Sequence, residues 1–138
     1  MPIDFITQNI WLIILVLTSG LMLVMPSLTG KLSGVVQIGP QEVVRLFNHE
    51  DALILDVRED SEFRDGHVPK SRHIPLGKLK AEIGGLEKYK DRAVIAICRS
   101  GNRSQSACGQ LRRAGFTKVH NLAGGIGSWD QAGLPKER

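Results

Sequence analysis

The sequence predicts an α/β domain with a mainly parallel central sheet flanked by helices, preceded by one N-terminal transmembrane helix. Three observations predict it. Short apolar runs alternate with stretches of helical periodicity through residues 31–138. Those runs are apolar at nearly every residue, as strands covered on both faces are. And from Phe5 to Gly30 the chain carries no charged side chain at all.

That opening segment, residues 1–30, is expected to be an anchor and the start of a linker. Ile10–Leu17 and Leu21–Met25 are almost wholly apolar, and as a helix about 20 such residues span a hydrocarbon core of about 30 Å. Trp11 suits an interface and Pro26 a helix end. A cleaved signal would want a basic start and a small-x-small site, whereas the segment begins with Asp4 as its only charge, so an uncleaved anchor is favoured. Lys31 and Arg45 follow the span, which predicts a single-pass protein with its domain in the cytoplasm, at a bacterial inner membrane. Ser27–Gly34 reads as a short linker.

Residues 31–138 are enough for one domain with one core. Val35–Ile38, Ala52–Val57, Ala93–Cys98 and Val119–Leu122 read as strands. Val43, Val44 and Phe47 share one face of a helix opened by Gly39-Pro40, and Ala107, Cys108, Leu111 and Ala114 share one face of a helix stopped by Gly115. Gly66–Pro69 and Gly84-Gly85 read as turns, and the tail after Gly133-Leu134-Pro135 as frayed. In a parallel sheet the ligand site is expected beyond the carboxyl ends of the strands.

Composition narrows the function. Past the anchor the chain holds 18 basic and 13 acidic residues, a mild bias that suits a small anion. Too few aromatics interleave with these charges for a nucleic-acid surface. Two cysteines, Cys98 and Cys108, are too few for a disulfide scaffold, and His49, His67, His73 and His120 are scattered, so no metal or other cofactor is expected.

The chemistry is expected where the strand ending at Cys98 runs through Arg99-Ser100-Gly101-Asn102-Arg103-Ser104 into a helix. Successive amides in such a loop converge on one point, and the helix N-terminus adds partial positive charge. A thiolate at Cys98 would be stabilised by those amides and by Arg99 and Arg103, lowering its pKa. A core cysteine merely closing a strand would not explain so polar a sequel. Cys108, on the apolar helix face, is expected to pack in the core.

The stretches Leu55–Glu59, Gly66–Pro69 through His73-Ile74-Pro75, Cys98–Ser104, Gly115-Phe116 and Leu122–Ile126 through Trp129 resemble, in order and spacing, a rhodanese homology domain over about residues 35–135. The resemblance implies that Cys98 bears a persulfide, that Arg99, Ser100, Gly101, Asn102, Arg103 and Ser104 form the substrate pocket, and that Asp56 and Arg58 support it. It also implies a small anionic sulfur donor and a thiol or protein acceptor. Lys70-Ser71-Arg72 and Gly127-Ser128 depart from the family's usual pattern and leave acceptor preference open. For Asp56 a purely local, backbone-satisfying role is at least as good a reading. Two rivals stay open: a non-catalytic binding module or persulfide carrier at the membrane, and a cysteine phosphatase. The phosphatase pattern wants five residues between cysteine and arginine, where Cys98 and Arg103 have four.

Overall fold

The computed structural model describes residues 2–32 and 34–138, with side chains for residues 2–25 and 34–138. The chain divides into two compact units, Met1–Leu32 and Ser33–Arg138.

The first unit is two helices, α1 (Pro2–Gln8) and α2 (Ile10–Leu32). They meet at Asn9, whose Nδ2 donates to the Phe5 carbonyl at 2.8 Å. A side chain that bonds its own backbone competes with the regular ladder, and Pro2–Gln8 and Ile10–Met25 are bent by 71° to each other. The expected single spanning helix is corrected accordingly. Among the described residues no single helix is long and apolar enough to cross a membrane, although this bent pair passes the test together by length and composition. Its apolar side chains are exposed, Trp11 and Met22 each at 80%. The helix end expected at Pro26 is not found either, because α2 continues to Leu32 through most of the expected linker. Proline removes one backbone donor, yet its own φ suits a helix. The side chains of residues 26–33, Pro26 and Lys31 among them, lie outside those described.

The second unit holds five parallel strands, β1 (Val35–Ile38), β2 (Leu53–Asp56), β3 (Arg72–His73), β4 (Ala93–Ile97) and β5 (Lys118–Leu122), in the order β1-β5-β4-β2-β3. The four expected strands are present to within one or two residues at each end. The two-residue edge strand β3 is additional, since a run that short carries no periodicity to read.

Each face of the sheet has its own core. On one side α3 (Pro40–Glu50) and α7 (Gly125–Gln131) bring Val43, Leu46, Ile126 and Trp129 onto Ile54, Ile95 and Ile97. On the other, α5 (Leu76–Glu82), a 3₁₀ helix (Ile83–Tyr89) and α6 (Asn102–Arg113) bring Leu79, Leu86, Cys108 and Leu111 onto Leu55, Val94 and Ala96. Every residue of β2 and β4 is buried, which is why both read as unbroken apolar runs. The remaining helix of this unit, α4 (Asp60–Asp65), follows β2 and contributes no buried residue.

Two expected loops are ordered instead. Gly84 and Gly85 lie inside the 3₁₀ helix, where the neighbouring Leu86 is fully buried and holds the segment down. The tail is pinned, not frayed: His67 and Glu137 exchange backbone hydrogen bonds of 2.9 and 2.8 Å, and Trp129 Nε1 donates to the Pro135 carbonyl at 3.0 Å. Leu134 packs against the α3/α7 core. Truncation after Gly133 removes these contacts and should lower the unfolding free energy by about 2–4 kcal/mol. A urea midpoint identical to that of the full chain would show the tail to be dispensable.

Candidate active site

The parallel sheet brings the carboxyl ends of its strands to one edge. Asp56 is in register with Ile97, and Ile38 with Leu122, so the residues that follow β2, β4 and β5 gather there. Cys98 is the first residue after β4, and its side chain belongs to the core face under α6. The loop then turns at Gly101, which caps α6 with φ 105°, a conformation that L side chains resist.

This turn aims donors at the sulfur. The Gly101 amide donates to Cys98 Sγ at 3.0 Å, and the Ser104 hydroxyl, from the first turn of α6, donates at 3.3 Å. Burial alone would push the thiol pKa up. The Ser104 hydroxyl and the amides of Ser104, Gly101 and Ser100 outweigh that and bring it below the usual thiol value. Cys98 has no exposed surface, whereas its loop neighbours Arg99, Ser100 and Asn102 are exposed.

The loop is held from behind by α7. Ile126 donates its amide to the Cys98 carbonyl at 2.8 Å, and Gly127 donates to the Arg99 carbonyl at 3.3 Å. Such closeness requires glycine at position 125, where φ is +57° and a Cβ would stand 2.3 Å from the Cys98 oxygen. The sequence marked Gly124-Gly125 as part of a motif but not as the seat of the loop.

Ser104 is fully buried and Asn121 nearly so. Asn121 Oδ1 is the second acceptor within reach of the Ser104 hydroxyl, whose single proton serves either it or Cys98 Sγ, while its Nδ2 reaches the Gly101 carbonyl at 3.2 Å and Gln37 Oε1 at 3.0 Å. Asn121 therefore holds Gly101 through its carbonyl and shares the Ser104 hydroxyl with the sulfur, a role hidden in a residue that reads only as part of a strand.

Arg103 differs from expectation. Arg103 does not present its fork to the sulfur: Nη1 and Nη2 donate to the two carboxylate oxygens of Glu62 at 2.7 and 2.9 Å. The Arg103 guanidinium holds the Glu62 carboxyl down at about 2. Glu62 was not marked in the sequence, although its place three residues after Glu59 is a capping-box signal. Arg58 and Asp56 form a buried pair at 2.8 Å, and Arg58 Nη2 donates to the Gly66 carbonyl at 2.7 Å. Both side chains bind each other and the backbone beside the loop, with no recorded bond to the sulfur. Phe63 stacks on His67 and His73 at centroid distances of 3.7 and 4.3 Å, so these histidines pack α4 in place. Among the described residues no group of three or more His, Cys, Asp or Glu side chains is arranged to hold a metal ion.

Cys108 is buried in the core, with Sγ 3.4 Å from the His120 carbonyl oxygen. Burial pushes its thiol up to about 12.

Comparison with known proteins adds a family. The Rhodanese-like domain model matches residues 39–132. The chain is 37% identical to the uncharacterized protein YibN of Escherichia coli (strain K12) over 113 residues, 81% of this chain and 77% of that protein. It is 38% identical over 91 residues to a sulfurtransferase of Allochromatium vinosum, 66% of this chain and 83% of that one. Among solved structures it resembles a rhodanese-related protein from Thermoplasma volcanium at 31% identity and a TM-score of 0.66, over 74% of this chain and 97% of that one.

The two thiols should separate on alkylation. Ser104→Ala removes the hydroxyl that offsets burial, so the Cys98 iodoacetamide profile should move to higher pH and its rate at pH 7 fall about tenfold. Cys108→Ser should leave that profile where it is. Coincident profiles for wild type and Ser104→Ala would mean that the amides alone set the Cys98 pKa.

Proposed function

This chain belongs to the rhodanese-like domain family, and on that premise we propose that it is a sulfurtransferase whose Cys98 carries sulfane sulfur as a persulfide. The observation that carries the reading is the donor set on Cys98 Sγ, an amide at 3.0 Å and a hydroxyl at 3.3 Å. A sulfurtransferase-type activity is also what the sulfurtransferase name of a relative sharing 38% identity supports.

In the first half-reaction the Cys98 thiolate attacks the outer sulfur of a donor. With thiosulfate the new bond is Sγ–S, the S–S bond to the sulfonate sulfur breaks, and sulfite leaves as the dianion, giving Cys98–S–S⁻. With a persulfide R–S–SH the same bond forms, R–S⁻ leaves, and the proton stays on the transferred sulfur. Gly101 and Ser104, with the neighbouring loop amides, stabilise the anion before and after transfer. In the second half-reaction an acceptor thiolate or cyanide attacks the terminal sulfur and returns the Cys98 thiolate. A covalent enzyme form shared by two half-reactions implies ping-pong kinetics.

We also propose that residues 1–30 tether the domain to a membrane as the bent helix pair. The support is an apolar helix whose large side chains stay exposed, Leu23 at 79% among them, since apolar surface so continuous calls for a cover. Basic residues following the segment favour the cytoplasmic face.

Two experiments test these readings. Incubating the chain with thiosulfate or cysteine persulfide should add the mass of one sulfur atom, removable by cyanide. Cys98→Ser should abolish this adduct and Cys108→Ser should preserve it. Well-folded wild-type protein that acquires no cyanide-labile sulfur from either donor would falsify the transferase reading. For the tether, the full chain should sediment with membranes through a high-salt wash, and deletion of residues 1–30 should release active protein. Full-length chain found in the supernatant would refute the anchor.

A further inference from the structure

The charges around the loop do not add up to a strongly positive pocket. Arg58 is neutralised by Asp56 inside the fold. Arg103 is closed by Glu62 in a bidentate pair whose side chains are 34% and 27% exposed, so neither partner is a freely exchanging surface group. Glu62 is fixed a second time, because its Oε1 accepts the Glu59 amide at 3.2 Å. Its neighbours Glu59 and Asp60 are exposed acids on the same short helix. Among the described residues only the exposed Arg99 remains at this rim without an ion pair.

We propose that Glu62, acting through Arg103, is a positioning residue that sets the donor class of the site: it disfavours the dianion thiosulfate and leaves the cradle suited to an alkyl persulfide, R–S–SH. The inference rests on the sulfurtransferase reading and narrows its donor. Thiosulfate brings two charges in and sulfite carries two charges out, both past a carboxylate that has already taken the edge of the guanidinium best able to bind a sulfonate. A persulfide brings at most one charge to the reacting sulfur and none when protonated. Its leaving thiolate is the same kind of anion that the Gly101 amide and Ser104 hydroxyl already stabilise on Cys98. The step balances as written above for R–S–SH, with one S–S bond formed, one broken and no outside oxidant.

The test is the rate of loading Cys98, followed by intact mass on the full chain in nonionic detergent, with thiosulfate and with cysteine persulfide. Glu62→Gln keeps the cap on Glu59, because Gln accepts the same amide, but removes the charge. It should speed loading from thiosulfate about tenfold and leave loading from cysteine persulfide within about threefold, the thiosulfate gain shrinking as salt is raised. Glu62→Asp retains the charge and should retain the wild-type ratio of the two rates. A parallel fall of both rates in Glu62→Gln would reduce Glu62 to a structural part, and an unchanged ratio in both variants would overturn the proposal while leaving the transferase intact. If Glu62→Gln fails to fold, a Glu62→Asp ratio shifted towards thiosulfate at equal charge would overturn it as well. Absence of any adduct from either donor in wild type is the separate outcome that removes the reading on which this one rests.

Discussion

Two carbonyl groups, those of Cys98 and Arg99, have to point away from the sulfur they flank, and the site depends on how they are kept there. A peptide plane that turns its oxygen outward turns the next amide inward, and for Arg99 that amide is Ser100's, one of those that lower the Cys98 pKa. The Ile126 amide, at 2.8 Å from the Cys98 oxygen, and the Gly127 amide, at 3.3 Å from that of Arg99, supply the restraint. Both amides belong to the first turn of α7, where no intrahelical acceptor exists for them. The helix and the loop thus satisfy each other. Trp129 seats α7 in the core and reaches the Pro135 carbonyl, so even the tail, through its bonds to His67, braces the helix that holds the Cys98 loop.

The same fold holds a second cysteine that makes the electrostatics plain. Cys98 and Cys108 are both fully buried and belong to the same core face. Burial raises both, yet one thiol ends below its usual value and the other at about 12. At Cys98 the Ser104 hydroxyl and three loop amides outweigh burial, whereas at Cys108 burial outweighs the amides of Cys108 and Ala96, and the His120 carbonyl oxygen beside it offers nothing to an anion. Burial by itself is therefore a poor guide to thiol reactivity, and the direction of nearby dipoles is a good one.

Much of this was legible in the sequence, for identifiable reasons. Strands β2 and β4 are buried on both faces, so their runs are unbroken, and the Cys98 loop is contiguous, so its amides and side chains can be read off directly. What escaped lacks a local signal. Helix α4 buries no residue and has no apolar stripe; it is held by Phe63 stacked between two histidines and by Glu62 on Arg103. Helix α7 opens on two glycines, which entered the sequence reading only as part of a motif. Glu62 and Asn121 meet the loop only across 41 and 20 residues of chain, and pairings at that separation are set by the packing of the sheet. The bend at Asn9 belongs to the same class, since one polar side chain redirects a segment whose composition points to a continuous helix.

The Glu62–Arg103 pair also bears on the phosphatase alternative. A phosphoryl group presents three equatorial oxygens, and a guanidinium holds two of them through the edge of its fork. Here that edge is occupied by a carboxylate whose pKa of about 2 keeps it charged through the whole neutral range. Admitting phosphate would mean breaking a half-buried pair and leaving Glu62 beside a dianion. A sulfane sulfur makes no such demand, because it is one atom and its charge is met by the Gly101 amide and Ser104 hydroxyl that already serve the thiolate. The arginine most readily taken for the anion receptor ties α4 to α6, and the groups left facing the Cys98 sulfur are the Gly101 amide and the Ser104 hydroxyl.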